Sequence, residues 1–173
     1  MLNTNQLLDT QFDLSKKVAL VTGAAGLLGV EHTIALIQAG ADVVMTDVNL
    51  EELEVSAKKV LEVTDVNPTV ALLDVSDQDS VLLVQKELAS QGKTVTILIN
   101  NAAIDPKVQK DSVVETSRLE NFSVDNWDFQ IKVGLTGAML CSKIFGTEMA
   151  KNGGGVILNI ASDLSVFSPY QSL

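Results

Sequence analysis

The segment Lys17-Val18-Ala19-Leu20-Val21-Thr22-Gly23-Ala24-Ala25-Gly26-Leu27-Leu28-Gly29 decides how the rest of the chain is read. Four apolar residues closed by Thr22 read as a buried strand. Three glycines follow at intervals of three. An apolar-periodic stretch then runs from about Leu28 to Ala39, with Gly40 placed to end a helix. Strand, glycine-rich turn and helix together open a parallel βαβ unit.

Outward from this segment the alternation continues. Asp42 to Thr46 reads as a second strand, and Asn49 with Glu52 three residues on reads as a capping box opening a second helix. Thr69 to Leu73 is the third strand. Ser76 with Asp79 caps a third helix that runs to Gly92, and Thr94 to Ile99 is the fourth strand. The polar stretch Asp105 to Asp125 has little periodicity and is long for a connection, so it is a candidate functional loop beside the substrate. Trp127, Ile131, Leu135 and Met139 lie four apart on one face of a long fourth helix. Gly134, Gly137 and Gly146 on that helix allow close packing, and Gly153 to Gly155 end it. Val156 to Ala161 is the fifth strand. Near-continuous apolar strands alternating with helices predict a doubly wound parallel α/β sheet, a three-layer α/β/α domain over 1–173 with 1–15 as an N-terminal extension.

Composition excludes several classes. The 173 residues carry a net charge of −10, with 22 acids against 12 bases. A nucleic-acid binder needs a basic footprint that this chain lacks, and no basic amphipathic stretch would hold it on an anionic membrane. No apolar run reaches the roughly 18 residues of a membrane helix. Asp9 and Asp13 precede the first Lys, so the N-terminus does not read as a signal peptide, and a cytoplasmic protein is expected. A single Cys, Cys141, excludes an internal disulfide and a Cys-based zinc site; a single His, His32, excludes a two-His metal site. No metal is expected.

The chemistry-bearing residues collect at predicted strand ends. Glycines in the first turn let the backbone approach a pyrophosphate, whose charge is met by N–H groups at the helix start. Asp47 ends the second strand eighteen residues after Gly29, the spacing at which an acid accepts hydrogen bonds from an adenosine ribose. The same carboxylate repels a 2′-phosphate, and no Lys lies between Lys17 and Lys58, so NAD is favoured over NADP. Asp74, after the third strand, either accepts from an adenine amino group or caps the next helix. Asn100 and Asn101 leave the fourth strand where ligands bind in open sheets, followed by the small Ala102 and Ala103. Ser162 follows the fifth strand, where its hydroxyl either holds a substrate carbonyl or turns the chain.

Together these residues resemble the short-chain dehydrogenase/reductase family, with its Rossmann fold, over essentially the whole chain. The resemblance implies a cofactor turn made of Gly23, Ala25, Gly26, Leu27, Leu28 and Gly29, NAD selection by Asp47, an adenine-contacting pair Asp74 and Val75, and a segment beside the cofactor at Asn101, Ala102 and Ala103. Ser162 matches the family's catalytic Ser. The glycine spacing resembles the extended type of the family, with Gly26 one place from the short-type position, while Asn100-Asn101-Ala102-Ala103 resembles the short type. Gly134 stands where the family often has a helix Asn. The family's Tyr-x-x-x-Lys pair is absent: Tyr170 lies eight residues beyond Ser162, and no Lys follows Lys151. The stretch Asn159 to Pro169 is faintly similar to members from bacterial flagellin-glycan and nonulosonate pathways.

The resemblance implies hydride transfer between a nicotinamide and a carbonyl or alcohol of a small-molecule substrate, with a chain truncated after its fifth strand binding cofactor but turning over little. The alternatives are an extended-type enzyme acting on a nucleotide sugar, an epimerase or dehydratase, and a non-catalytic NAD-binding module. An open apolar edge at the fifth strand predicts either a homo-oligomer through the fourth helix or a fragment of a longer product.

Overall fold

The computed structural model describes residues 12–104 and 119–162. Five parallel strands stand in the order β3-β2-β1-β4-β5: β1 Val18–Thr22, β2 Asp42–Asp47, β3 Thr69–Leu72, β4 Ile97–Asn100 and β5 Val156–Asn159. Between them run α1 Leu27–Gln38, α2 Leu50–Thr64 and α3 Gln78–Ser90. A long helical segment precedes β5, made of α4 Val124–Ile131, a π-helical turn Lys132–Thr136 and α5 Gly137–Lys151. A short 3₁₀ turn, Leu119–Asn121, leads into it. The strand order reverses between β1 and β4, the point where open α/β sheets bind ligands.

Each inner strand is buried on both faces, which is why its sequence is apolar without alternation. Leu20, Val44 and Leu98 point into one cluster with Val81, Val84, Leu88, Cys141 and Phe145. Their neighbours Ala19, Val21, Val43, Met45 and Ile99 point into the other, with Ile37, Leu53 and Val60. β5 is different. Val156, Ile157 and Leu158 are all exposed, and the strand pairs only with β4. The open edge expected from the sequence is there among the described residues.

The predicted elements form, with shifts of a few residues. The largest is β4, expected from Thr94 but starting at Ile97, because Thr94 to Thr96 lie outside the ladder. Asn49 caps α2 by accepting from the Glu52 N–H at 3.2 Å. The predicted cap of α3 is corrected: Asp77, not Ser76, is the N-cap, accepting from the Asp79 N–H at 3.0 Å. The Ser76 N–H already donates to Asp74 Oδ1 at 2.8 Å. The three glycines of the fourth helix divide. A Cβ on Gly137 would lie 2.7 Å from Val75 Cγ2, and one on Gly146 would lie 3.2 Å from Ile157 Cδ1, so both serve packing. Gly134 does not: it is exposed, and a Cβ there would meet nothing within 4 Å.

Part of the expected N-terminal extension is docked on the domain. Leu14 donates its N–H to Ala39 O at 2.7 Å and packs against the cluster under α1.

Candidate functional site

The carboxyl ends of β1, β2, β4 and β5 bring most of the predicted site residues together. The glycine turn is pinned from several sides. Ala24 N donates to Thr46 O at 2.9 Å, Ala25 N donates to Asp47 Oδ2 at 3.1 Å, and Ser56 Oγ on α2 donates to Ala25 O at 3.1 Å. Gly23 has φ +62° and carries a backbone conformation that an L side chain rarely adopts. A Cβ there would also stand 2.8 Å from Ala102 Cα, so the turn and the β4 exit approach through the space a side chain would fill.

Gly26 is the N-cap of α1, and no side chain caps this helix. By contrast Asn49, Asp77 and Ser123 cap α2, α3 and α4 with side-chain oxygens. The first-turn N–H groups of Leu27, Leu28 and Gly29 have no intrahelical acceptor, and no acid stands in that turn. These donors suit an anion such as a pyrophosphate. Gly26 has φ −73°, which any residue adopts, and a Cβ there would only touch Gly23 O at 3.4 Å. Its one-place shift therefore requires no special backbone conformation.

Asp47 closes β2 beside this turn. Its Oδ2 accepts from Ala25 N at 3.1 Å and its Oδ1 from Asn49 N at 3.1 Å. The carboxylate thus lies on the turn, partly buried. Asp74 makes the turn-forming bond to Ser76 N described above. Val75 is in the core against Gly137, so its side chain is not free to meet a ligand.

The sequence reading passed over Thr22, which joins the two inner strand ends. Its Oγ1 donates to Ile99 O at 3.3 Å and accepts from Asn101 N and Ala102 N, both at 3.0 Å. Asn101 Nδ2 donates to Thr22 O at 3.0 Å and Gly23 O at 3.1 Å. Asn101 therefore holds the glycine turn, with Ala102 and Ala103 beside it. A hydroxyl ending an otherwise apolar strand was the available signal. Thr22→Val keeps the shape and leaves two backbone N–H groups unpaired, so we expect a loss of about 2–4 kcal/mol in denaturant unfolding.

Ser162 lies exposed three residues past β5, at the same sheet end. Tyr170, Arg118 and residues 105–118 of the polar loop are outside the described residues. Among the described residues no group of three or more His, Cys, Asp and Glu could hold a metal, and no helix is long and apolar enough to cross a membrane.

A sequence profile of the short chain dehydrogenase family matches residues 17–172. The chain belongs to the short-chain dehydrogenase family. Among its family relatives, the NAD-dependent glycerol dehydrogenase of Listeria innocua is 31% identical over 163 residues, 92% of this chain and 58% of that protein. The 2-dehydro-3-deoxy-D-gluconate 5-dehydrogenase of Dickeya dadantii is 35% identical over 157 residues, 89% of this chain and 56% of that protein. A gluconate 5-dehydrogenase from Burkholderia cenocepacia, solved with NADP and tartrate, superposes with a TM-score of 0.76 at 27% identity, covering 94% of this chain and 60% of that one. The chain thus spans little more than half the length of these short-chain dehydrogenases. The family binds a nicotinamide cofactor, and the uncapped start of α1 with its pinned glycine turn fits one.

Cys141 on α5 is not part of this site. It is buried, and desolvation pushes its thiol from 9.0 up to about 12. The protonated thiol is favoured in the fold, so its contribution to stability is complete below pH 9 and is lost as pH rises from 9 towards 12. At pH 8 a thiol reagent is expected to modify Cys141 only at the rate of unfolding; rapid labelling of folded protein would contradict its burial.

Proposed function

We propose that this chain is the NAD-binding part of an oxidoreductase that moves a hydride between the nicotinamide and a carbonyl or alcohol carbon of a small-molecule substrate. The observation that carries the reading is the Asp47 carboxylate lying on Ala25 N beside the uncapped start of α1. The pyrophosphate is held by the N–H groups of Leu27, Leu28 and Gly29. Asp47 accepts from the adenosine ribose hydroxyls, and its charge disfavours a 2′-phosphate there. Asp74 and the Val75 backbone face the adenine side. Asn101, Ala102, Ala103 and Ser162, across the strand-order reversal, would hold the nicotinamide half.

Bound there, the cofactor supplies the carbon that gives or takes the hydride. Ser162 orients the substrate oxygen and donates a hydrogen bond as charge develops on it. A Tyr-x-x-x-Lys acid/base pair is absent from these 173 residues, and lack of general acid/base catalysis typically costs about 10² to 10⁴ in rate. The chain alone is therefore expected to bind NAD with little turnover. Isothermal titration with NAD, NADP and nucleotide sugars tests this. NAD binding with no response to nucleotide sugars supports it, and a nucleotide sugar bound more tightly than NAD favours the extended-type alternative.

We further propose that the fourth helix packs against a second copy. Trp127, Ile131, Leu135 and Met139 form the stripe expected from the sequence, and all four are exposed. An apolar stripe of this extent on a helix facing water favours association. Light scattering is expected to report a mass above 18.4 kDa that falls to the monomer value in Leu135→Glu, with the far-UV spectrum unchanged. A monomeric wild type would end the proposal.

A further inference from the structure

The two adjacent asparagines, one ending β4 and one just past it, send their side chains to different partners. Asn101 holds the glycine turn, as described above. Asn100 holds something else. Its backbone oxygen accepts from Ile160 N at 3.0 Å. Its side-chain Nδ2 donates to Asn159 Oδ1 at 2.8 Å, to Ser142 Oγ at 3.0 Å and to Ala138 O at 3.4 Å. One amide thus joins the carboxyl ends of β4 and β5 to α5, beside the π-helical turn that precedes α5. Asn159 stands three residues before Ser162.

The arrangement is not what stability alone would select. Asn100 is 7% exposed, and its Oδ1 is buried with no hydrogen-bond partner among the described residues. An apolar residue of similar size would not carry that penalty. Of its partners, Asn159 is exposed and Ser142 is half-buried. A buried amide kept with an unmet acceptor at a ligand-binding sheet end marks position as its role.

We propose that Asn100 is the positioning residue for the nicotinamide half of the site. Its amide clamps the β5 exit, and so the place of Ser162, to β4 and α5. Thr22 and Asn101 hold the glycine turn through a separate set of hydrogen bonds. This rests on the dinucleotide reading under Proposed function.

The test uses the 173-residue chain and saturation-transfer NMR on NAD, comparing adenine with nicotinamide protons, together with amide exchange of Ile160. In the wild type both ends receive saturation. In Asn100→Asp, and in Asn159→Ala at an exposed position that will not unfold the chain, adenine signals persist, nicotinamide signals are lost, and Ile160 exchange speeds about tenfold. Asn159→Asp keeps the acceptor and matches wild type on every readout, which a merely structural effect of substitution at 159 would not. Retention of the nicotinamide signals in both Asn100→Asp and Asn159→Ala overturns the proposal. So does joint loss of both ends in folded Asn159→Ala, or a wild type that shows adenine signals alone. If wild type gives no NAD signal, the dinucleotide reading fails separately. Ile160 exchange then decides the clamp: faster exchange in Asn159→Ala supports it, and unchanged exchange overturns it.

Discussion

Gly29→Ala is expected to be the most damaging single-methyl change in the chain. Gly29 is buried in the first turn of α1, and an added Cβ would overlap the carbonyl oxygen of Gly23 and stand 2.6 Å from Ala24 Cα. Both are backbone atoms, so no side chain can swing aside. The turn cannot yield easily either, because Ala24 N is bonded to Thr46 O, Ala25 N to Asp47 Oδ2, and Ala25 O to Ser56 Oγ. The helix start must tilt away from the turn. Overpacking of this kind costs about 1–3 kcal/mol or more. It also moves the N–H groups proposed to hold the pyrophosphate, so NAD affinity falls by at least about tenfold, as misaligned charge-assisted bonds require. Denaturant unfolding and NAD titration read the two effects. Gly26→Ala is the control: with φ −73° and an open surround, it is expected to cost under about 1 kcal/mol, the scale of an N-cap change. Equal effects at both positions would contradict the assignment of Gly29 as the packing glycine.

Asp47→Ala is expected to change cofactor choice more than stability. The substitution removes the acceptor for Ala25 N and for Asn49 N, and with them the carboxylate proposed for the ribose hydroxyls. Hydrogen bonds to a charged group contribute about 1.5–3 kcal/mol, so NAD binding weakens roughly 10- to 100-fold. NADP loses the repulsion between its 2′-phosphate and Asp47, so its affinity holds or rises. Paired titrations of wild type and variant check the ratio. A ratio unmoved by the substitution would place the ribose elsewhere.

Most of the fold was legible because parallel strands buried on both faces are written as short apolar runs, as in Val18–Thr22 and Asp42–Asp47. The glycine turn was legible because Gly23 needs its positive φ and Gly29 its missing Cβ. Other features depend on contacts between distant residues and leave no local pattern. Thr22 reads as an ordinary strand residue until Asn101 and Ala102 donate to it from 79 and 80 positions away. Asn100 reads, like Asn101, only as an amide at a ligand-binding strand end until Asn159 and Ser142 arrive from other elements. Ser76 lost the α3 cap because the helix starts one residue later, at Gln78, which puts Asp77 at the N-cap with its carboxylate accepting from Asp79 N. Gly134 makes no close contact within the chain, because a glycine in a helix signals contact or exposure equally well and here the helix turns it to water. Val75 was read with Asp74 as an adenine-contacting pair, and its side chain instead serves the core against Gly137.

The most direct measurement is calorimetric titration of the 173-residue chain with NAD and with NADP under one buffer and salt condition. The account expects saturable one-to-one binding of NAD that is tighter than that of NADP. No heat from either dinucleotide, or tighter binding of NADP, would contradict it.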